Sequence, residues 1–304
     1  MRALSVAALV LALIVVVAGA YVRLSDAGLG CPDWPFCYGK PLPAEIADRD
    51  ALAKAWKEMG HRYLAGTLGA LIAALFIAAW RHRRSAALVT ALVALVVFQA
   101  TLGMWTVTML LKPAIVTAHL LGGMATLALL AWIALDQWPH TPVPEMRALR
   151  PAGAIALAAL GLQIALGGWV SANYAALACP QLPLCPGPMD FANAFHVMRE
   201  LGQTAEGELL SLDALRAIHW THRLVALVAL AGVLFAAARA SRLAPRLALV
   251  LGALVLLQFA LGVANVALGL PLALAAAHNA GAALLLLALV VLNFFAFRGL
   301  RPLL

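Results

Sequence analysis

Charge is what this sequence has least of. Asp, Glu, Lys and Arg make up 11% of its 304 residues and hydrophobic residues 64%, against about 25% charged and 45–50% apolar in an ordinary soluble domain. Mean hydropathy is +0.95. Too few charges remain to cover a water-facing surface, so a soluble enzyme, a secreted disulfide scaffold and a disordered tail are all excluded. No segment alternates apolar and polar residues as an outer-membrane strand would. No Arg- and Ser-rich transit peptide precedes the first apolar run, which favours a bacterial chain. The net charge of +8 is not a nucleic-acid footprint, because the excess sits in short segments between apolar runs.

What is there is a series of long apolar stretches. A membrane-crossing helix needs about 20 mostly apolar residues, and eight stretches qualify: 3–22, 62–80, 86–108, 114–135, 152–172, 222–239, 246–267 and 273–297. Ala18-Gly19-Ala20 also resembles a signal-peptide cleavage site, but the repeat described below requires this segment as a helix. Lys and Arg in short loops set orientation. Arg2, Arg81, Arg83, Arg84, Arg147, Arg150, Arg239, Arg242, Arg246, Arg298 and Arg301 share one side if both termini are cytoplasmic, with only Asp136 and Glu145 as acids. The two long loops, 23–57 and 173–218, then face outward, in the periplasm of a bacterial cytoplasmic (inner) membrane. They hold all four cysteines, Cys31, Cys37, Cys179 and Cys185, in an oxidising compartment. Four cysteines allow three pairings; the two within-loop pairs are simplest, as structural staples or as a redox-active pair.

The long loops repeat. Cys31-Pro32-Asp33-Trp34-Pro35-Phe36-Cys37-Tyr38-Gly39 aligns with Cys179-Pro180-Gln181-Leu182-Pro183-Leu184-Cys185-Pro186-Gly187 at an offset of 148, as Gly19-Ala20-Tyr21-Val22 does with Gly167-Gly168-Trp169-Val170. Further on, Glu58-Met59-Gly60-His61-Arg62 matches His219-Trp220-Thr221-His222-Arg223 at 161, and His119 matches His278 at 159. One insertion in the outer loop of a tandem duplication explains both offsets. The fold class expected is an all-α polytopic membrane protein. Its eight transmembrane helices form two parallel four-helix bundles, residues 1–150 and 151–304.

Four histidines occupy repeat-matched places, His61 with His119 and His222 with His278, within the first two turns of the second, fourth, sixth and eighth spans. Ionisable groups inside a membrane are costly and mark function. Two imidazoles facing each other across a bundle are what bis-histidine haem ligation requires. The bland reading, a histidine at a wet helix end, serves for one but not for two pairs at separations of 58 and 56 residues. Zinc fits less well: Glu58-x-x-His61 lacks the first histidine of the metalloprotease pattern. Arg62 and Arg223, each following a candidate ligand, suit a haem propionate or a snorkelling surface position. Gln99, Gln163 and Gln258 each precede a glycine by four residues, which close helix packing explains. His82, His140 and His196 fall in loops and read as solvated. Glu58 stands where the second half has His219, so the halves are expected to differ in role, the first reactive and the second a resident cofactor site.

The Gly-Cys-Pro-Asp-Trp-Pro-x-Cys-Tyr-Gly segment at 30–39, Glu-x-x-His-Arg at 58–62 and the duplicated eight-helix plan closely resemble the haem A synthase family over essentially the whole chain. The resemblance implies oxidation of the C8 methyl of haem O to a formyl group, through hydroxylated intermediates, making haem A for terminal oxidases. It implies substrate haem between His61 and His119, haem b as cofactor between His222 and His278, importance for Glu58, and cysteine pairs Cys31/Cys37 and Cys179/Cys185. The partners implied are haem O, membrane lipid, a haem O synthase, cytochrome oxidase assembly factors and an electron donor, with a homo-oligomer left open. Glu58 either handles protons near the substrate methyl or is structural, bonded to His61. Two rivals share the histidines: a dihaem electron-transfer protein, and a haem transporter or chaperone.

Overall fold

A computed structural model describes residues 1–43, 46 and 48–301. Apart from three isolated bridges the described chain forms no β-structure. Its helices are α1 (Arg2–Leu24), α2 (Arg49–Arg81), α3 (Ala86–Thr108), α4 (Pro113–Asp136), α5 (Arg150–Ala172), the short α6 (Phe191–Ala194), α7 (Leu212–Ala240), α8 (Pro245–Ala267) and α9 (Leu272–Arg298). All but α6 are long and apolar enough to cross a membrane. The chain is a multi-pass membrane protein.

Six spans begin and end within two residues of the apolar stretches; α2 and α7 do not. They start at Arg49 and Leu212, on the capping side chains of Asp48 (to Asp50 N, 3.0 Å) and Ser211 (to Ala214 N, 3.2 Å). At 1.5 Å per residue, the 33 residues of α2 run to about 50 Å, well beyond a hydrocarbon layer of about 30 Å. Counting apolar residues hides such projecting turns. His61 and His222 therefore lie more than two turns into their helices, correcting the expectation that all four histidines fall in the first two; only His119 and His278 do.

α1 packs on α2, α2 on α3, α3 on α4, and α4 returns to α1; α5, α7, α8 and α9 close a second ring in the same order. The rings join through α4 on α5 and through α1 and α4 on α9. α9 is accordingly the most enclosed span, 67% of its apolar window being buried against 17–39% elsewhere. Within each ring the diagonal helices, α2 with α4 and α7 with α9, meet at most marginally.

The main core lies entirely to one side of the histidines. It takes in Leu68, Ile72 and Leu75 of α2, Leu127, Leu130 and Ile133 of α4, Val233 and Ala236 of α7, and Leu285, Leu289 and Leu292 of α9. Val10, Ile77, Val97, Ile155, Val228 and Leu249 turn outward, each at least half exposed, as residues facing acyl chains do. The arginine-bearing ends gather on one face. There Met1, Arg2, His82, Arg84 and Gln137 line one cavity, Arg298 pairs with Asp136 (2.9 Å), and Arg301 N donates to Thr141 O (2.8 Å). His140 is not solvated as its loop position suggests: it packs against Phe294 and Phe295, ring centres 5.4 Å away.

Candidate functional site

The four histidines stand beyond the edge of that core nearer the cysteine loops, on the diagonal helices, and each imidazole rests on a glycine. A methyl group added at Gly19 would lie 2.8 Å from His61 Cε1; at Gly103, Gly167 and Gly262 it would lie 3.2 Å from Cε1 of His119, His222 and His278. Any larger residue would push the ring away, so these glycines set how the imidazoles project. The Nδ1 atoms of His61, His119 and His278 are buried with no hydrogen-bond partner among the described residues.

The three glutamines do more than pack. Gln99 Nε2 donates to His119 O (2.9 Å) and Gln258 Nε2 to His278 O (3.0 Å), while Gln163 Nε2 lies 3.1 Å from His222 Nδ1. All three Oε1 atoms are buried without a partner among the described residues. Sequence reasoning set these residues aside; the signal was the Gln-x-x-x-Gly pattern recurring on spans that face a histidine. The fourth matching position is Val15, so the first ring lacks one amide.

Above each histidine pair lies a cysteine loop. Cys31–Cys37 and Cys179–Cys185 are both disulfides, with Cα separations of 4.7 and 5.1 Å. The first packs on Ala55 and Met59, in the projecting turns of α2. Gly30 lies so close to α2 that an added methyl would meet Lys54 and Ala55 backbone atoms at 2.6–2.7 Å. Asp33 folds the loop by accepting from Tyr38 N (2.6 Å) and Gly39 N (2.8 Å). Burial raises the Asp33 pKa, but the two amides and Arg62 outweigh it, and the carboxyl ends below its ordinary value.

Arg62 and Arg223 clamp these loops alike. Arg62 Nη1 donates to Asp33 O (2.9 Å) and Phe36 O (2.7 Å); Arg223 Nη1 donates to the matching Gln181 O (2.7 Å) and Leu184 O (3.3 Å), and Nη2 to Cys179 O. Glu58, 4% exposed, accepts from Cys31 N (2.9 Å) and pairs with Arg62. Its partners are thus the loop and its clamp, not the His61 ring, although residues three apart share a helix face. His219, at the matching place, donates from Nδ1 to Ala175 O (3.1 Å).

No three His, Cys, Asp or Glu side chains come together among the described residues. What remains is two pairs of half-buried imidazoles on diagonal helices, three of them with an Nδ1 that has no partner among the described residues. That donor set fits a group ligated axially from two sides, which is haem.

Residues 2–290 match the family model described as cytochrome oxidase assembly protein (COX15-CtaA). The chain belongs to this family. Among similar members, a protein of Shewanella oneidensis named "Heme A synthase" is 43% identical, over 94% of each chain. One of the same name from Caulobacter vibrioides is 33% identical over 98% of this chain and 94% of its own, and one from Rhizorhabdus wittichii is 29% identical over 94% and 90%. The match to the family spans both rings and both disulfide loops, so neither histidine pair lies outside it.

Proposed function

We propose that this protein is a haem A synthase, an enzyme that oxidises the C8 methyl of haem O to a formyl group, by way of the alcohol, for a terminal cytochrome oxidase. The observation that carries this is the pair of glycine-backed diagonal imidazoles repeated in both rings, in a chain of this family. The halves 1–150 and 151–304 are read as duplicated bundles, with termini cytoplasmic and disulfide loops periplasmic. Haem O occupies the first, between His61 and His119; haem b is the resident cofactor of the second, between His222 and His278. Haem b supplies one-electron redox chemistry when bound. The histidines orient their haems, the glycines fix the imidazole planes, and the inner core excludes water from below. Arg62 and Arg223 close the outer end over the loops, and Arg223 Nε, buried with no acceptor among the described residues, is available to a propionate.

Glu58 distinguishes the reactive half. One turn outward from His61, it holds a proton or orients a water near the substrate methyl, and its bonds to Cys31 N and Arg62 fix its carboxylate. Glu58→Gln keeps the Cys31 contact and is expected to retain haem while accumulating haem O or the alcohol. Normal haem A output from that variant would contradict the assignment. The decisive experiment is co-expression with a haem O synthase, acid extraction of pigments, and HPLC with mass detection, with His61→Ala as control. Haem A or its alcohol, lost in the control, is the expected result. Unchanged haem O and haem b with intact bis-histidine spectra would identify an electron carrier, and reversible haem O binding without conversion a transporter or chaperone.

A further inference from the structure

Arg199 heads the fully buried side chains by volume, at 2% exposed. It lies in the second outer loop, past the cysteines, where the repeat offset grows from 148 to 161 and the first loop has no counterpart. Its guanidinium carbon sits 5.5 Å from the Trp169 ring. Nη1 donates to Gln203 O (3.3 Å), but Nε and Nη2 are buried with no acceptor among the described residues. The neighbouring Glu200 is engaged elsewhere, with Lys112 Nζ at 2.7 Å, and burial pushes the Arg199 pKa down, with no carboxylate among the described residues to offset it. A buried cation without a counter-ion is strongly unfavourable. Nε–H and Nη2–H form one edge of the guanidinium, the edge that grips a carboxylate with two parallel hydrogen bonds.

The position says which carboxylate. Trp169, whose Nε1 donates to Ala194 O (2.9 Å), packs with Ala217 and Ile218 of α7 and Ala114 of α4. His222 follows Ile218 by one helical turn, and His119 follows Ala114 by little more. Gly167, which backs His222, is two residues from Trp169. The guanidinium therefore sits against the Trp169 cluster at the loop ends of α4, α5 and α7, where Ile218 and Ala114 lie about one helical turn (~5.4 Å) from His222 and His119.

We propose that Arg199 is an anion site for one haem propionate, gripped by its Nε–H and Nη2–H edge where the two rings meet. This rests on the haem sites of the preceding section. The test uses the full-length protein in detergent, freed of haem and titrated with ferric haem b and with its dimethyl ester, in which both carboxylates are masked. Wild type is expected to bind the diacid at least about tenfold more tightly than the ester. Arg199→Met should lower that ratio several-fold while leaving ester affinity unchanged, the remaining discrimination belonging to the other arginines. An undiminished ratio in Arg199→Met overturns the proposal.

Thermal unfolding of the haem-free proteins gives a second readout. Removing an uncompensated charge should leave haem-free Arg199→Met at least as stable as wild type; a variant destabilised equally with and without haem would make Arg199 structural and sink the idea. Repeating the titration in His119→Ala and His222→Ala backgrounds identifies the haem concerned, since discrimination by Arg199 disappears only where its own haem is lost. Failure of wild type to bind haem at all would instead remove the reading on which this one rests.

Discussion

An imidazole that ligates iron through one ring nitrogen needs an acceptor for the proton on the other, and that acceptor sets how basic the ligand is. Gln163 lies 3.1 Å from His222 Nδ1, with its own Oε1 buried and unpartnered among the described residues. Turning the amide over exchanges nitrogen and oxygen at little cost in space, and presents that oxygen to Nδ1–H. Val15 occupies the matching place in the first ring. Gln163→Leu is therefore expected to weaken haem retention in the second ring about tenfold. It should also raise the midpoint potential of that haem, because a less basic imidazole stabilises ferric iron less. An optical redox titration of the purified protein checks this, and unchanged potential with unchanged retention would make Gln163 a packing residue. A glutamine four residues before a glycine reads as helix packing because the partner that gives it meaning is about 60 residues away for Gln163 and 20 for Gln99 and Gln258.

At the scale of the element, the projecting turns of α2 and α7 matter most. They carry Glu58 and His219 at corresponding positions, support the disulfide loops, and bring Arg62 and Arg223 against the loop carbonyls. Asp33 makes the first loop sensitive to acid. Its folded pKa lies below the ordinary aspartate value, so its contribution is complete above that value and is lost as pH falls through the lowered one. Hydrogen-exchange protection of the Tyr38 and Gly39 amides should hold near neutrality and collapse in that acid window. Asp33→Asn, which keeps one acceptor oxygen, should lose part of the protection at neutral pH. Protection independent of pH and of this substitution would show that the disulfide alone holds the turn. The two-fold use of an Arg–carbonyl clamp was invisible in the linear sequence, where Arg62 and Arg223 stand out only as neighbours of histidines.

For the whole molecule, the joint between rings is the structural decision. Gly168 on α5 faces α4, where an added methyl would meet Leu120 Cδ2 at 2.9 Å and Thr117 Cγ2 at 3.3 Å. Leu120 adjoins His119, so this small residue lets the rings approach at the level of the candidate site. Nearby, Arg23 Nη2 ties the end of α1 to Ser171 O at 2.6 Å. Residues 1–150 and 151–304 co-expressed as separate chains are expected to assemble and co-purify. Gly168→Val should weaken that assembly by about 1–3 kcal/mol through overpacking. Co-purification unaffected by the substitution would place the holding energy on α9 instead.

Hydropathy and spacing were enough to establish eight membrane helices, the arginine-rich face, the cysteine loops and the four histidines, because a bilayer demands about 20 apolar residues per crossing and a repeated segment keeps its markers. Hydropathy alone left α2 and α7 too short, since polar helical turns outside the hydrocarbon carry no apolar signal. Nor could it reveal that Glu58 answers to Cys31 and Arg62, that glycines back the four paired histidines, or that Arg199 is buried with an edge that has no partner among the described residues. Apart from the Glu58–Arg62 pair, each of those facts is a meeting of residues distant in the chain. Only the closing of α1–α4 and of α5, α7, α8 and α9 into rings brings them together.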